Sequence, residues 1–369
     1  MGFQLGIIGL PNVGKSTLFN VLSKAPRLRS GRATAEVSNY PFCTIKPNVG
    51  IVEVPDERLN KVQETMSSSR AVPTVIEFYD IAGLVKGAHK GEGLGNQFLS
   101  HVREVDAIAH VVRCFKSEEI SHVSGKVDPK IDIETINYEL ILSDLVLVEK
   151  NLENAKMRAK AGDKKILKEV EVLQRLQSAL SAGKPARTVM IADNEREHVQ
   201  DLPLLTSKPT MYIANVDESG NRAKVEIIEE IARREGATVV PICAKLEAEI
   251  LELSKEDAEA FLKEIGLKEP GLKRFVRSGY NLLGLITFFT ANNKECRAWT
   301  VKNGTAVPKA AGKVHSDMER GFIAAEVIHY DDLIKSGSYS GARGKGVLHT
   351  EGKNYLVEDG DLVLIKFNV

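Results

Sequence analysis

Gly9-Leu10-Pro11-Asn12-Val13-Gly14-Lys15-Ser16-Thr17 follows the apolar run Leu5-Gly6-Ile7-Ile8 and leads into Leu18-Phe19-Asn20-Val21-Leu22. The order is strand, glycine loop, helix. Gly9, Gly14, Lys15 and Ser16 have the spacing of a P-loop. In such a loop backbone N–H groups at a helix N-terminus cradle phosphates, the lysine reaches the β- and γ-phosphates, and the hydroxyl holds Mg²⁺. Asn12, Val13, Gly14, Lys15, Ser16 and Thr17 are therefore the expected nucleotide contacts, with Lys15 also serving catalysis. The strand before the loop and the helix after it separate this pattern from a chance glycine turn. The chain is expected to bind a nucleoside triphosphate.

Outward from the loop, the stretch with Lys24, Arg27, Arg29 and Arg32 contains no acid before Glu36 and reads as a basic loop. Thr44 then precedes the strand Gly50–Val54, where a first switch loop would bring a hydroxyl to Mg²⁺ and the γ-phosphate. The buried run Thr74–Tyr79 ends in Asp80-Ile81-Ala82-Gly83. That is the place of a Walker B aspartate, followed by a glycine whose N–H meets the γ-phosphate. Ser16, Thr44 and Asp80 form the expected metal set, and Gly83 joins the nucleotide contacts. The glycine-rich segment Lys86–Gly95 is expected to order on the triphosphate.

After the strand Ala107–Val112 the alternation of strand and helix is interrupted. Ile141, Leu145, Val148, Leu152 and Ala155 step by three and four, and the pattern resumes at Ile166, Val170, Leu173 and Leu180. This predicts a helical hairpin, whose tip carries Lys156, Arg158, Lys160, Lys164, Lys165 and Lys168 against Asp163. Doubly wound order returns at Pro209–Asn215 and Thr238–Ile242, whose ends are expected to form the base pocket. Pro270–Leu283 reads as a linking segment before short strands at Ile286–Phe289, Arg297–Thr300, Phe322–Val327, Tyr355–Val357 and Leu362–Phe367. The fold class is thus α/β, a doubly wound P-loop domain (1–130 and 207–283) with a helical insertion (131–206) and a small β-rich domain (284–369). Lys335, Arg343 and Lys345 lie in a Gly/Ser-rich stretch of that last domain and, with the hairpin lysines, are expected to face RNA.

The 369 residues suffice for about two to three domains. Fifty basic and fifty acidic side chains cancel, so any binding to nucleic acid must use local patches. Cys43, Cys114, Cys243 and Cys296 include no CxxC pair, which argues against a disulfide frame or a zinc site. No apolar run reaches the ~20 residues of a membrane span. A cytoplasmic, monomeric protein without membrane contact is expected.

Gly-Leu-Pro-Asn-Val-Gly-Lys-Ser at 9–16, Asp-Ile-Ala-Gly-Leu-Val-Lys-Gly-Ala at 80–88 and Asn-Val-Asp-Glu at 215–218, with the helical insertion, closely resemble the YchF subfamily of Obg-like ATPases. Ala-Ala-Gly-Lys-Val-His-Ser-Asp-Met-Glu-Arg-Gly-Phe at 310–322 resembles that family's TGS domain, a β-grasp module. The resemblance spans essentially the whole chain. It implies a Ras-like core, a ribosome or RNA partner, ATP preferred over GTP, and a nucleotide-dependent switch in translation or stress response. A GTP-binding protein of the same fold, or a nucleotide-gated adaptor without RNA contact, are the alternatives. GTPases present Asn-Lys-x-Asp to guanine, whereas here Asn215, Val216 and Glu218 stand at the base, so the bidentate guanine contact is disfavoured. Leu84 replaces the glutamine that orients the attacking water in many relatives. The resemblance implies that His122 serves hydrolysis instead. It also implies that Asn12 stands where cation-dependent NTPases bind K⁺, as a stimulatory ion beside Mg²⁺.

Overall fold

The computed structural model describes residues 3–24, 49–81, 94–117, 126–160 and 163–368. From the N-terminus the elements run β1 (Gln4–Gly9), α1 (Lys15–Lys24), β2 (Val49–Glu53), α2 (Glu57–Thr65), β3 (Ala71–Val72), β4 (Val75–Asp80), α3 (Leu94–Glu104) and β5 (Ala107–Arg113). There follow α4 (Pro129–Ala159), α5 (Lys164–Ser181), β6 (Thr210–Asn215), α6 (Arg222–Glu235), β7 (Thr238–Ile242), α7 (Ala244–Glu252), α8 (Lys255–Glu264) and α9 (Gly271–Leu282). The chain closes with β8 (Leu285–Ala291), β9 (Cys296–Lys302), α10 (Val307–Val314), α11 (Ser316–Arg320), β10 (Phe322–Ile328), α12 (Tyr330–Ser336), α13 (Tyr339–Gly344), β11 (His349–Glu351) and β12 (Leu362–Phe367).

The first sheet has the order β2-β4-β1-β5-β6-β7, with β2 antiparallel and the other pairs parallel. Helices cover both its faces, which is why β5 and β6 are buried along their whole length and read as continuous apolar runs. The expected doubly wound core is present. Pro270–Leu283 is not a linker. It folds as α9, whose Leu272, Phe275, Val276 and Tyr280 enter the main core. Buried Glu247 of α7 accepts from the N–H groups of Gly271 (2.6 Å) and Leu272 (3.1 Å), satisfying the free donors at the start of α9.

The helical insertion begins earlier than its apolar stepping suggests. Asp128 accepts from Lys130 N at 3.1 Å and Pro129 occupies the first turn, so a capped start precedes Tyr138 by three turns. Ile133, Ile136 and Leu140 of that first stretch pack on the nucleotide-binding half, and only beyond it does α4 pair with α5. A division at 130/131 therefore falls inside α4. The return from α5 is anchored by Asp144, which is fully buried and accepts from Leu205 N (2.8 Å), Thr206 N (2.8 Å) and the Thr206 hydroxyl (2.6 Å).

The second sheet has the order β11-β10-β12-β8-β9-β3. A β8–β9 hairpin, β12 parallel to β8 at the centre and α10 across one face give the expected β-grasp arrangement. Tyr355–Val357 is not a strand; Leu356 makes one isolated bridge with Ala306. Lys335 and Arg343 lie on α12 and α13, with Lys345 at the end of α13, rather than in a loop. The outer strand β3 comes from the N-terminal half: Ala71 pairs with Cys296 and Val72 with Arg297. Alternate residues of this sheet face opposite ways. Phe288, Val327 and Val363 pack with α10, whereas Phe289, Ile328 and Leu362 pack with Leu59 and Val62 of α2 and with Leu333 and Ala342.

Candidate functional site

The loop between β1 and α1 turns through two left-handed positions, Asn12 (φ 63) and Gly14 (φ 90). Glycine is required twice, for different reasons. A Cβ on Gly9 would meet Val111 O at 2.9 Å, and one on Gly14 would meet the Asn215 side-chain nitrogen at 2.1 Å. The loop thus sits directly against β5 and the end of β6. Leu18 N donates to Gly14 O at 3.0 Å and starts the helix, whose first-turn N–H groups have no acceptor within the helix and are the donors that such a turn offers to an anion. Val13 is buried and meets the site through its backbone, while the Ser16 and Thr17 side chains are exposed at the first turn of α1.

Parallel pairing of β1 with β4 sets Ile7 beside Asp80, so the second strand ends next to the loop. Lys15 forms an ion pair there with Asp80. Ser16 and Asp80 fit a Mg²⁺ site of the P-loop kind, in which one hydroxyl, one carboxylate and substrate phosphates share the ion. Among the described residues there is no cluster of three or more His, Cys, Asp or Glu that could hold a metal by itself. Thr44, Gly83 and His122 lie outside the described residues, as do Leu84 and most of the basic stretch 24–32.

At the far end of the loop, Asn215 is 5 % exposed and holds three segments together. Its Nδ2 donates to Val13 O at 2.8 Å and its Oδ1 accepts from Ala244 N at 3.1 Å. Val216 points into the core with Val225 and Ile228, and its N–H donates to Ile242 O at 2.9 Å. Asp217 accepts from Ser219 N at 3.2 Å and from the Ser219 hydroxyl. Glu218 pairs with Lys245 at 3.0 Å. Its own backbone N–H and Lys245 hold the Glu218 carboxyl below its usual range.

Phe115, two residues beyond β5, also stands at this pocket: its ring edge is 4.0 Å from the Cβ position of Gly14. The Cys114 carbonyl that precedes it accepts from Asn221 Nδ2 (3.0 Å) and Lys224 Nζ (3.2 Å). Sequence reasoning missed Phe115. An aromatic just beyond a largely apolar strand at the carboxyl edge of an α/β sheet was the available signal.

The hairpin lysines 156, 160, 164, 165 and 168 are all exposed. Arg158 beside them pairs with Glu169 at 2.7 Å. In the last domain Arg343 reaches Glu326 at 3.4 Å, and Lys345 Nζ donates to Lys335 O at 2.8 Å.

A family model described as 50S ribosome-binding GTPase matches residues 4–150, and the YchF-GTPase C-terminal model, described as a protein of unknown function, matches residues 285–368. Proteins named ribosome-binding ATPase YchF from Bacillus subtilis and Haemophilus influenzae are 52 % and 51 % identical to this chain, with all of each chain covered. The chain belongs to the YchF family. The solved structure of the Schizosaccharomyces pombe YchF GTPase superposes with a TM-score of 0.85 at 36 % identity, covering 99 % of this chain and 98 % of that one. The YchF fold is that of a P-loop nucleoside triphosphatase, and here it brings Lys15 to Asp80 and the P-loop backbone to Asn215. Among the described residues no helix is long and apolar enough to cross a membrane.

Proposed function

We propose that this chain is an ATP-preferring nucleoside triphosphatase of slow intrinsic turnover that acts as a nucleotide-dependent switch on the ribosome. The observation that carries the ATP preference is the engagement of both acidic side chains of the base motif: Asp217 with Ser219 and Glu218 with Lys245. Guanine recognition needs a carboxylate with two acceptors free for the base edge, and each acid already has one oxygen engaged. Adenine makes no such demand. In the reaction Lys15 leaves Asp80 for the β- and γ-phosphates, the N–H groups of the loop orient the triphosphate, and Asn215 fixes the loop to the base pocket. Ser16 and Asp80, with Thr44, would hold Mg²⁺, which when bound would supply positive charge to offset that of the phosphates. His122 orients the attacking water, and Gly83 contacts the γ-phosphate. Asn12 supports K⁺ as a stimulatory cation.

The ribosome reading is supported by the names of the relatives and by the exposed lysines of the hairpin tip. Flexible basic side chains track phosphates without reading bases, so binding should depend steeply on salt. The second reading, GTP as substrate, draws on the description of the matching family model and of the S. pombe protein as GTPases. Competition of ATP and GTP for the protein separates the two. ATP is expected to win, and replacing residues 215–218 by Asn-Lys-Val-Asp should move the ratio towards GTP. Preference of the unaltered protein for GTP would overturn the first reading. Co-sedimentation with ribosomes at several salt concentrations tests the partner: charge reversal at Lys160, Lys164 and Lys165 should weaken binding and flatten its salt slope while ATP affinity holds.

A further inference from the structure

Among the described residues Arg113 is the largest side chain that the fold buries completely, with 1 % exposed. It closes β5, whose other positions are predominantly apolar, and desolvating a guanidinium there costs several kcal/mol before any partner is counted. Burial depresses its pKa, and Asp132 in the first turn of α4 acts in the opposite sense. A buried charge of this kind adds little net stability, so what the guanidinium touches is the better guide to its role. The guanidinium carbon lies 4.4 Å from the centroid of the Phe115 ring, and Arg113 Nε donates to Phe115 O at 3.3 Å. The strand and loop around Phe115 are fixed as well: Cys114 N donates to Asn215 O at 2.8 Å, and Asn221 and Lys224 hold the Cys114 carbonyl. Phe115 is thus pinned by its backbone on both sides and backed by a planar cation.

We propose that Arg113 is a positioning residue for base recognition, holding the Phe115 ring beside Gly14 and Asn215 as a wall against which the nucleotide base stacks. The inference rests on the reading that the base sits at the carboxyl edge of β5, β6 and β7. The cation stacked under the ring steadies its orientation, so its loss should weaken base binding about three- to tenfold, roughly 0.7–1.4 kcal/mol. A role at the base predicts a loss for nucleotide that a base-free polyphosphate does not share, and this makes it separable from simple structural support.

The test uses the full chain and two probes, ATP and inorganic tripolyphosphate, whose affinities are measured by calorimetry. Arg113→Gln paired with Asp132→Asn, which avoids stranding a buried charge, is expected to lower ATP affinity about three- to tenfold and leave tripolyphosphate affinity unchanged. Arg113→Lys keeps the charge but loses the plane, and should show a smaller loss with the same dependence on the base. If the paired variant loses cooperative melting, Arg113→Lys decides alone. Equal losses for both probes, or no loss in a folded variant, would overturn the proposal. Phe115→Leu tests the underlying reading separately. A base-dependent loss there with none in the Arg113 variants removes Arg113 alone, whereas no loss in Phe115→Leu removes the base wall and Arg113 with it.

Discussion

The helical hairpin and the C-terminal domain are both appended to the nucleotide-binding sheet, yet they hold together differently. The hairpin's core of Ile141, Val148, Leu152, Val172, Leu173, Leu176 and Leu180, sealed by Leu204, comes from one continuous stretch of chain. The C-terminal sheet is covered on one face by its own α10 and on the other partly by Leu59 and Val62 of α2, with β3 at its edge. Two paired helices each cover the other's apolar stripe, whereas a sheet has two faces and needs two covers. The second cover here is taken from the connection between β2 and β4, and β4 ends in Asp80. The C-terminal domain is therefore built onto the segment that lies between the two places where nucleotide state is expected to be read.

The difference is broken most severely by a charge in each core. Val62 and Val148 are both fully buried, and an unpaired carboxylate at either costs at least about 4 kcal/mol. Trp299 of β9 is the only tryptophan, so its fluorescence reports the C-terminal sheet. Val62→Asp should lower the urea midpoint followed by Trp299, whereas Val148→Asp should open the hairpin with that midpoint unmoved and ATP still bound. A shift of the tryptophan transition in Val148→Asp would show that the hairpin is not an independent unit.

A smaller effect separates the two by pH. His110 of β5 is 2 % exposed, its ring 5.4 Å from that of Tyr212, and burial together with the nearby Arg187 lowers its pKa to about 3. Because the unfolded chain binds this proton near 6.5, stability is lost as pH falls from there towards 3, by about 2 kcal/mol at pH 5. Arg187 lies on the return from the hairpin and reaches Glu235, which also accepts from Tyr212 OH at 2.7 Å. Acid should therefore loosen the seam between hairpin and nucleotide sheet. His110→Gln should flatten the acid limb of a urea-denaturation series, and an unchanged limb would show that His110 does not set it.

Much of the nucleotide site was legible because its residues are consecutive or close strand ends. Lys15, Asp80 and Asn215 each follow an apolar run, and the parallel register that joins them is the usual consequence of such runs. The hairpin was legible from its three-and-four stepping, although its start was not, since Ile133 and Ile136 face a different partner from Val148 and Leu152. The α2–β3 excursion gave no comparable signal. Two apolar positions on a nine-residue helix do not say what they pack against, and a two-residue strand has no period. Its partner Cys296 stands in the last quarter of the chain. Arg113 was hidden for the opposite reason: a buried arginine is unexpected by composition, and the Phe115 ring stacked beside it comes into view only in the fold.

The smallest change asks whether the shared face is apolar or ionic. Arg58 of α2 bridges to Asp359 with contacts of 2.8 and 3.1 Å, and Asp359 also accepts from Thr287 N at 2.9 Å. Both charged side chains are partly exposed, so screening leaves the pair about 1 kcal/mol or less. Asp359→Asn keeps an acceptor for Thr287 and removes the charge. It should shift the Trp299 urea midpoint slightly at low salt and not at all at high salt, in contrast to the large loss in Val62→Asp. If the two substitutions cost the same, and the cost of Asp359→Asn survives high salt, then the seam depends on Asp359 rather than on burial of Leu59 and Val62. The C-terminal domain would then be attached by a polar latch, and the sharing of a core with α2 would no longer distinguish it from the hairpin.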